Sequence, residues 1–137
     1  MSNRLSIVLF SGTVDKLMAA AVVASGAAAM QKEVSIFATF YGLLAFRKGD
    51  WKENRRLSKD FEDFGPTFFH TLETKKVPNW LETLQTAKEI GDVKVKACAL
   101  MMDLTGVKLE DLEPIVTEIA GVGQFIEEAS DGQILFL

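Results

Sequence analysis

The sequence predicts an α/β protein built on one doubly wound, mainly parallel sheet of five strands with helices on both faces. Two observations favour this class. Short apolar runs rich in β-branched and aromatic residues recur along the chain, as in strands that are covered on both faces. Helical segments separate these runs, and strands that alternate with helices form parallel βαβ units. The length of 137 residues suits one core, so we expect a single domain over residues 1–137.

The first half of the pattern begins with Leu5–Ser11, a nearly continuous apolar run that predicts a central strand. The dipeptide GT follows, and a helix is predicted from about residue 14 to residue 30. Glu33–Phe40 repeats the strand pattern. Tyr41–Phe46 predicts a short helix that stops near Gly49.

The second half resumes at Asn79, a predicted N-cap with Glu82 three residues later, and this helix is expected to stop at Gly91. The remaining predicted elements are a strand at Val93–Ala97, a short helix after Cys98, a turn at Gly106, a strand near Ile115–Ile119, a helix at about 122–129 and a last strand at 133–137. Five strands in this alternation favour a flavodoxin-like arrangement.

Residues 47–77 depart from the repeating pattern. Charges of both signs are mixed with aromatic residues, and the stretch FGPTFFH predicts a turn at its centre. A long connection of this kind is either a lid or binding loop, or a surface appendage held by its aromatic side chains. His70, the only histidine, lies in this excursion. It is either a lid residue that favours a thiolate below it or a partly exposed structural histidine.

Composition excludes several classes of function. The net charge of −4 and the pI of about 5.0 argue against nucleic-acid binding. One cysteine cannot form an internal disulfide, and the first residues do not resemble a signal peptide, so we expect a cytoplasmic protein. The apolar stretch that starts at Leu17 is too short to span a membrane. One cysteine and one histidine do not make a metal site, and no cofactor is predicted.

Cys98 is the main candidate for chemistry. In doubly wound sheets, ligands bind at the carboxyl ends of the strands where the winding reverses. With the usual strand order, the first and third main strands border that crevice, so we expect the turn Ser11–Thr13 and Cys98 to meet there. A helix N-terminus stabilises a thiolate. Cys98 is therefore either an activated nucleophile or a small buried hydrophobe. A lone cysteine excludes a dithiol cycle within one chain and leaves chemistry that needs one sulfur.

The other candidate binding residues lie at the neighbouring strand ends and in the helix after Cys98: Ser11, Gly12, Thr13, Thr39, Phe40, Tyr41, Met101 and Met102. The SGT turn combines a glycine, two hydroxyls and a following helix, which suits either an anion or simple helix capping. The stretch Thr39–Tyr41 either lines the same crevice or packs in the hydrophobic core. The two methionines either seal the thiol or form the walls of a pocket for a sulfur ligand.

Three stretches together resemble the DsrE/DsrF-like family, in particular its DsrE2-type branch, whose members are often labelled peroxiredoxin family proteins: IVLFSGTVDKLMAAAVVASGAAAM, VSIFATFYGL and KACALMMDLTG. The resemblance spans nearly the whole chain and includes a cysteine at the matching strand end. It implies a flavodoxin-like fold, oligomers and a role in sulfur relay, with Cys98 as the residue that accepts and passes on sulfur. The extra cysteines and membrane segments of some relatives are not found here. The threonine- and proline-containing signature of peroxidases is also missing, which argues against peroxidase activity.

We therefore expect a homo-oligomeric sulfur carrier or sulfurtransferase-like protein in which Cys98 accepts sulfane sulfur as a persulfide or thiosulfonate adduct. The donor is expected to be a small sulfur-containing anion or a partner sulfur-carrier protein. Two alternatives stay open: a non-catalytic module that binds a small anionic, nucleotide-like or CoA-like ligand in the same crevice, and a structural subunit with an inert cysteine. The helix that starts at Val14 is apolar on nearly all sides, so we expect either the excursion or a second subunit to cover its outer side, and the resemblance favours the second subunit.

Overall fold

A computed structural model of the protein describes residues 3–137. Its sheet has five strands: β1 (Arg4–Leu9), β2 (Glu33–Ala38), β3 (Val93–Cys98), β4 (Val116–Ala120) and β5 (Gln133–Phe136). All neighbouring strands are parallel, in the order β4-β3-β2-β1-β5. The predicted α/β class with one five-stranded parallel sheet is confirmed.

Seven α-helices are described: α1 (Val14–Ala29), α2 (Phe40–Leu44), α3 (Asp50–Glu53), α4 (Gly65–Thr74), α5 (Trp80–Ile90), α6 (Ala99–Thr105) and α7 (Val122–Ala129). Short 3-10 helices lie at Lys59–Phe64 and Leu109–Asp111. Helices α1 and α5 pack against each other over one face of the sheet, while α7 packs on the other face. None of the helices within residues 3–137 is long and apolar enough to cross a membrane.

The core forms where the three central strands align. Ile7, Ile36 and Val95 are partners across β1, β2 and β3, and all three are fully buried. Side chains alternate between the two faces of a strand, so these three positions point to one face of the sheet. Continuous apolar runs become strands here because helices cover both faces of the sheet.

Helix α5 begins and ends where the sequence predicts. The Asn79 side chain accepts a hydrogen bond from the Glu82 N–H at 2.9 Å, which satisfies one of the free donors of the first turn. Gly91 is the C-cap residue, and its N–H donates to the Ala87 carbonyl. A Cβ at Gly91 would lie 2.8 Å from the Ala28 side chain, so this glycine also lets α5 approach α1 closely.

The strand order differs from the expected one at the site. Strand β2 lies between β1 and β3, so the expectation that the first and third strands border one crevice is wrong. The chain moves across the sheet in one direction from β1 to β4, and β5 then pairs on the other side of β1. The carboxyl end of β2 therefore separates the Ser11–Thr13 turn from Cys98.

The excursion at residues 47–77 is largely helical, as α3, the 3-10 helix at Lys59–Phe64 and α4 lie within it. The predicted turn at the centre of FGPTFFH is wrong, because Gly65 and Pro66 form the first turn of α4. Proline is favourable there because the N–H groups of a first helical turn have no partner within the helix.

Candidate functional site

Cys98 is the last residue of β3 and the N-cap residue of α6. Its backbone is extended, with φ −67° and ψ 118°, and its side chain makes no capping hydrogen bond. The residue is only 5% exposed and belongs to the hydrophobic core. The thiol therefore lies at the predicted strand end, but packed side chains cover it.

The surroundings of Cys98 follow from the register of the sheet. Cys98 pairs with Ala120 of β4, and Ala97 pairs with Ala38, so Thr39 lies next to Cys98 at the end of β2. Alternation along β3 puts Cys98 on the same face as Lys96, which contacts Glu128 of α7. Of the predicted binding residues, Thr39 is thus the one that the sheet brings beside the thiol, and it is buried as well.

Lys96 is a buried charge on this face of the sheet. Its side chain is 7% exposed, and its Nζ lies 2.5 Å from Glu128 Oε2 and 3.7 Å from Glu118 Oε2. The hydrogen bond from Lys96 holds the pKa of Glu128 below its ordinary value. One turn earlier in α7, the ring of Phe125 stacks on Phe37 at 4.9 Å. An ion pair and an aromatic stack therefore fix α7 over β2 and β3.

Phe40 follows Thr39 with a φ of +49°, in the left-handed region that bulky residues rarely adopt. Phe40 is exposed, and its ring lies 5.1 Å from the ring of Phe10. The rings of Tyr41 and Phe136 complete the cluster around Phe10, at 5.5 and 5.8 Å. Strained residues of this kind are held by their surroundings and often lie at functional sites. No sequence signal marks the strain at Phe40.

The backbone of the SGT turn bonds to the protein itself. The N–H groups of Phe10 and Ser11 donate to the Leu137 carbonyl at 2.8 and 3.1 Å. The Thr13 N–H donates to the Ser11 hydroxyl, and the Val14 N–H donates to the Arg56 carbonyl. These four N–H groups already have acceptors and are therefore not free to bind an anion.

The excursion crosses the start of α1 and is held there by hydrogen bonds. The Asn54 side chain donates to the Gly12 carbonyl at 3.0 Å, and the Ser58 hydroxyl donates to the Asp15 carboxylate at 2.6 Å. Partial burial raises the pKa of Asp15, but the hydrogen bonds from Ser58 and Thr13 outweigh it, so this pKa lies below its ordinary value. The excursion is therefore held over the SGT turn by polar contacts.

A small cavity brings two predicted segments together. Gly12 and Tyr41 line a cavity of about 250 Å³, which we call the arginine cavity because Arg47, Arg55 and Arg56 also line it. A Cβ at Gly12 would lie 2.6 Å from the Tyr41 carbonyl oxygen, so only glycine allows this close approach. Sequence reasoning missed the three arginines, although the charged run in the excursion contains them.

The two methionines after Cys98 have different surroundings. Both are 8% exposed and pack against the core. Met102 also lines an open cavity of about 390 Å³ together with Ala99, the residue after Cys98, and with Ile119 of β4. Ala99 follows Cys98 directly in the chain, but Cys98 itself does not line this cavity.

His70 is exposed and lies in α4. It lines a third cavity, between the excursion and the start of α5, whose lining residues do not include Cys98. Within residues 3–137, no three acidic, histidine or cysteine side chains are close enough together to hold a metal ion.

Comparison with known proteins agrees with this architecture. A family model described as DsrE/DsrF/DrsH-like matches residues 1–70 and 57–137. The uncharacterized protein YrkE of Bacillus subtilis strain 168 is 34% identical over 154 aligned positions, which cover 97% of this chain and 95% of YrkE. The solved structure of MTH1491, a protein of unknown function from Methanobacterium thermoautotrophicum, has a TM-score of 0.60 at 12% identity and shares 98% of each chain, which shows a common fold. The chain therefore belongs to the DsrE/DsrF/DrsH-like family, which is associated with sulfur relay.

Proposed function

We propose that this protein is a sulfur carrier in which Cys98 accepts one sulfane sulfur and holds it as a persulfide. The observation that carries the proposal is that the only cysteine ends a central strand and is 5% exposed. A persulfide exchanges readily with free thiols. Burial of Cys98 would therefore protect its persulfide from thiols in solution. Burial in this case suits a carrier, provided that small donors reach the sulfur.

The transfer balances without an added oxidant. The Cys98 thiolate attacks the outer sulfur of thiosulfate, and the sulfur–sulfur bond of thiosulfate breaks. Sulfite leaves with the bonding electron pair, and the outer sulfur stays on Cys98 as a persulfide. With tetrathionate, the same attack forms a thiosulfonate adduct and releases thiosulfate. Burial favours such small anions over a bulky thiol as the first donor.

The test is the intact mass of the folded protein after incubation with thiosulfate, tetrathionate or polysulfide. Thiosulfate or polysulfide should add the mass of one sulfur atom, and dithiothreitol should remove it. Cys98→Ser is the matched control and should gain no mass. If the folded protein gains no mass with any donor, while the urea-unfolded protein is alkylated at Cys98, the cysteine is inert and the proposal fails.

A second candidate function is the binding of a small oxyanion in the arginine cavity. Three arginines and two acidic residues, Asp50 and Glu53, line it. Arg47 pairs with Asp50 at 2.9 Å, and Arg55 donates to two backbone carbonyls. This leaves Arg56 as the one arginine of the three whose side chain makes no hydrogen bond or ion pair within residues 3–137. The volume of about 250 Å³ favours an oxyanion over a nucleotide-like or CoA-like ligand. At matched ionic strength, sulfate or thiosulfate should raise the melting temperature more than chloride does. The effect should survive Cys98→Ser and disappear in Arg56→Gln; an equal effect of chloride would refute specific binding.

We also infer that the protein forms a homo-oligomer through the outer side of α1. Val22 of α1 and Met30, the C-cap residue of this helix, are 63% and 73% exposed, and solvent-exposed apolar side chains along one helix favour a protein contact. Light scattering after size exclusion should give a multiple of the 15.1 kDa chain mass. Val22→Lys should reduce that mass; a monomeric wild-type protein would refute the inference. A cytoplasmic location stays a prediction.

A further inference from the structure

The largest of the cavities described above lies between the excursion and the helices α1 and α5, and it has a volume of about 510 Å³. We call it the tryptophan cavity, because Trp51 and Trp80 both line it and the chain has no other tryptophan. Phe69 adds a third aromatic wall. Volume and aromatic lining are typical of sites for small organic ligands.

Trp80 is a rigid part of the cavity wall. The residue is 2% exposed, and its buried indole N–H has no acceptor in the described structure. The ring packs edge-on against Phe46 at 5.1 Å, which fixes its orientation. Buried polar groups nearly always have a partner, so this N–H is an exception, but it has almost no accessible surface and does not open into the cavity.

Positive charge surrounds the aromatic walls. Lys52 Nζ lies 5.6 Å from the ring centroid of Trp51, and the guanidinium of Arg55 lies 5.1 Å from that of Phe69. Both cationic residues line the cavity, together with a single carboxylate, that of Glu73. The charge balance therefore favours an anion, and the rings favour an apolar, planar body.

We propose that the tryptophan cavity binds a small organic anion, namely an aromatic carboxylate. The ring packs between the aromatic walls, and the carboxylate accepts from Lys52 and Arg55. This site is separate from the proposed sulfur chemistry, because Cys98 does not line the cavity. Binding should therefore be the same in Cys98→Ser, and failure of one proposal leaves the other intact.

Intrinsic tryptophan fluorescence tests the proposal directly, since every tryptophan of the chain lies in the cavity wall. Phenylacetate is the probe, phenylacetamide is its neutral match and phenethylamine is its cationic match. We expect a saturable change in emission with phenylacetate, binding about tenfold weaker for the amide because the charge-assisted hydrogen bonds are lost, and no saturation with the amine. The proposal is overturned if phenylacetate gives no saturable change, or if the amide or the amine binds equally well.

Two variants locate the binding. Lys52→Gln should remove most of the preference for phenylacetate over phenylacetamide, and it is safe for folding because Lys52 is exposed. Arg47→Gln is the matched control, because Arg47 lines the arginine cavity but not the tryptophan cavity. An equal loss in both variants would indicate a general charge effect and would overturn the assignment.

Discussion

The buried ion pair of Lys96 and Glu128 predicts an unequal response to its two single substitutions. The lysine side chain is 7% exposed, whereas those of Glu128 and Glu118 are 38% and 44% exposed. Removal of the glutamate charge leaves an ammonium group buried, with only Glu118 at 3.7 Å as a charged partner. Removal of the lysine charge leaves two carboxylates that water already reaches.

The structure gives rough magnitudes for both changes. Glu128→Gln should cost about 2 kcal/mol, since a buried charge loses its main partner while the new amide oxygen still accepts a hydrogen bond. Lys96→Met should cost less than about 1 kcal/mol, because methionine fills a similar volume beside Phe37 and Phe125 without a buried charge. The double variant should have about the same free energy of unfolding as Lys96→Met. Once the lysine is gone, Glu128→Gln no longer leaves a buried charge without its partner.

Urea unfolding followed by circular dichroism measures these differences, because a chain of this size is expected to unfold in a two-state manner. The pKa of Glu128 is lowered in the folded protein, so its ionised form contributes stability above its unfolded value of 4.5. The gap between wild type and Glu128→Gln should therefore be complete above that pH and close as the pH falls through the lower folded value. The reasoning is refuted if Lys96→Met costs as much as Glu128→Gln, or if the two effects simply add.

Two further predictions concern packing and charge elsewhere in the fold. Asp15→Asn should lower the free energy of unfolding by about 1 kcal/mol at neutral pH, because it weakens the hydrogen bonds from Ser58. Because the pKa of Asp15 is lowered on folding, this difference should shrink as the pH falls below the unfolded value of 3.8; a pH-independent difference would contradict it. Gly42→Ala should cost more than about 2 kcal/mol, as its Cβ would lie 2.2 Å from the Leu9 carbonyl oxygen. Gly123→Ala, in open space on α7, should instead gain roughly 0.5 kcal/mol; equal thermal shifts for the two alanines would contradict this packing argument.

Much of the fold is predictable because its signals are local. The apolar runs at β1 and β2 are typical of strands covered on both faces, and the Asn79 N-cap lies where an asparagine precedes an apolar helical pattern. The strand ends shift by one or two residues, as at Cys98, which extends β3. Local sequence determines which residues adopt an extended backbone, whereas the exact strand ends depend on hydrogen bonds to the neighbouring strands.

The order of the strands is not a local property, and this explains the main error about the site. No residue near the SGT turn signals that β5, rather than β3, pairs with β1 on the side away from β2. For the same reason, the carbonyl of Arg56 could not be anticipated as the acceptor for the Val14 N–H, because these residues are 42 positions apart and meet only in the folded chain. The candidate cysteine was found from its strand end, whereas the groups that surround it depend on tertiary packing.

Burial of Cys98 changes which part of the protein controls its chemistry. Exposure of the thiol at the start of α6 would make the amide groups of that helix decisive. With 5% exposure, access becomes the first requirement for any chemistry of this sulfur. Helix α7 is not a free cover on the face that Cys98 shares with Lys96. Phe125, in its first turn, is 1% exposed and stacks on Phe37, and Glu128, near its other end, pairs with Lys96, so α7 is held to the sheet along most of its length.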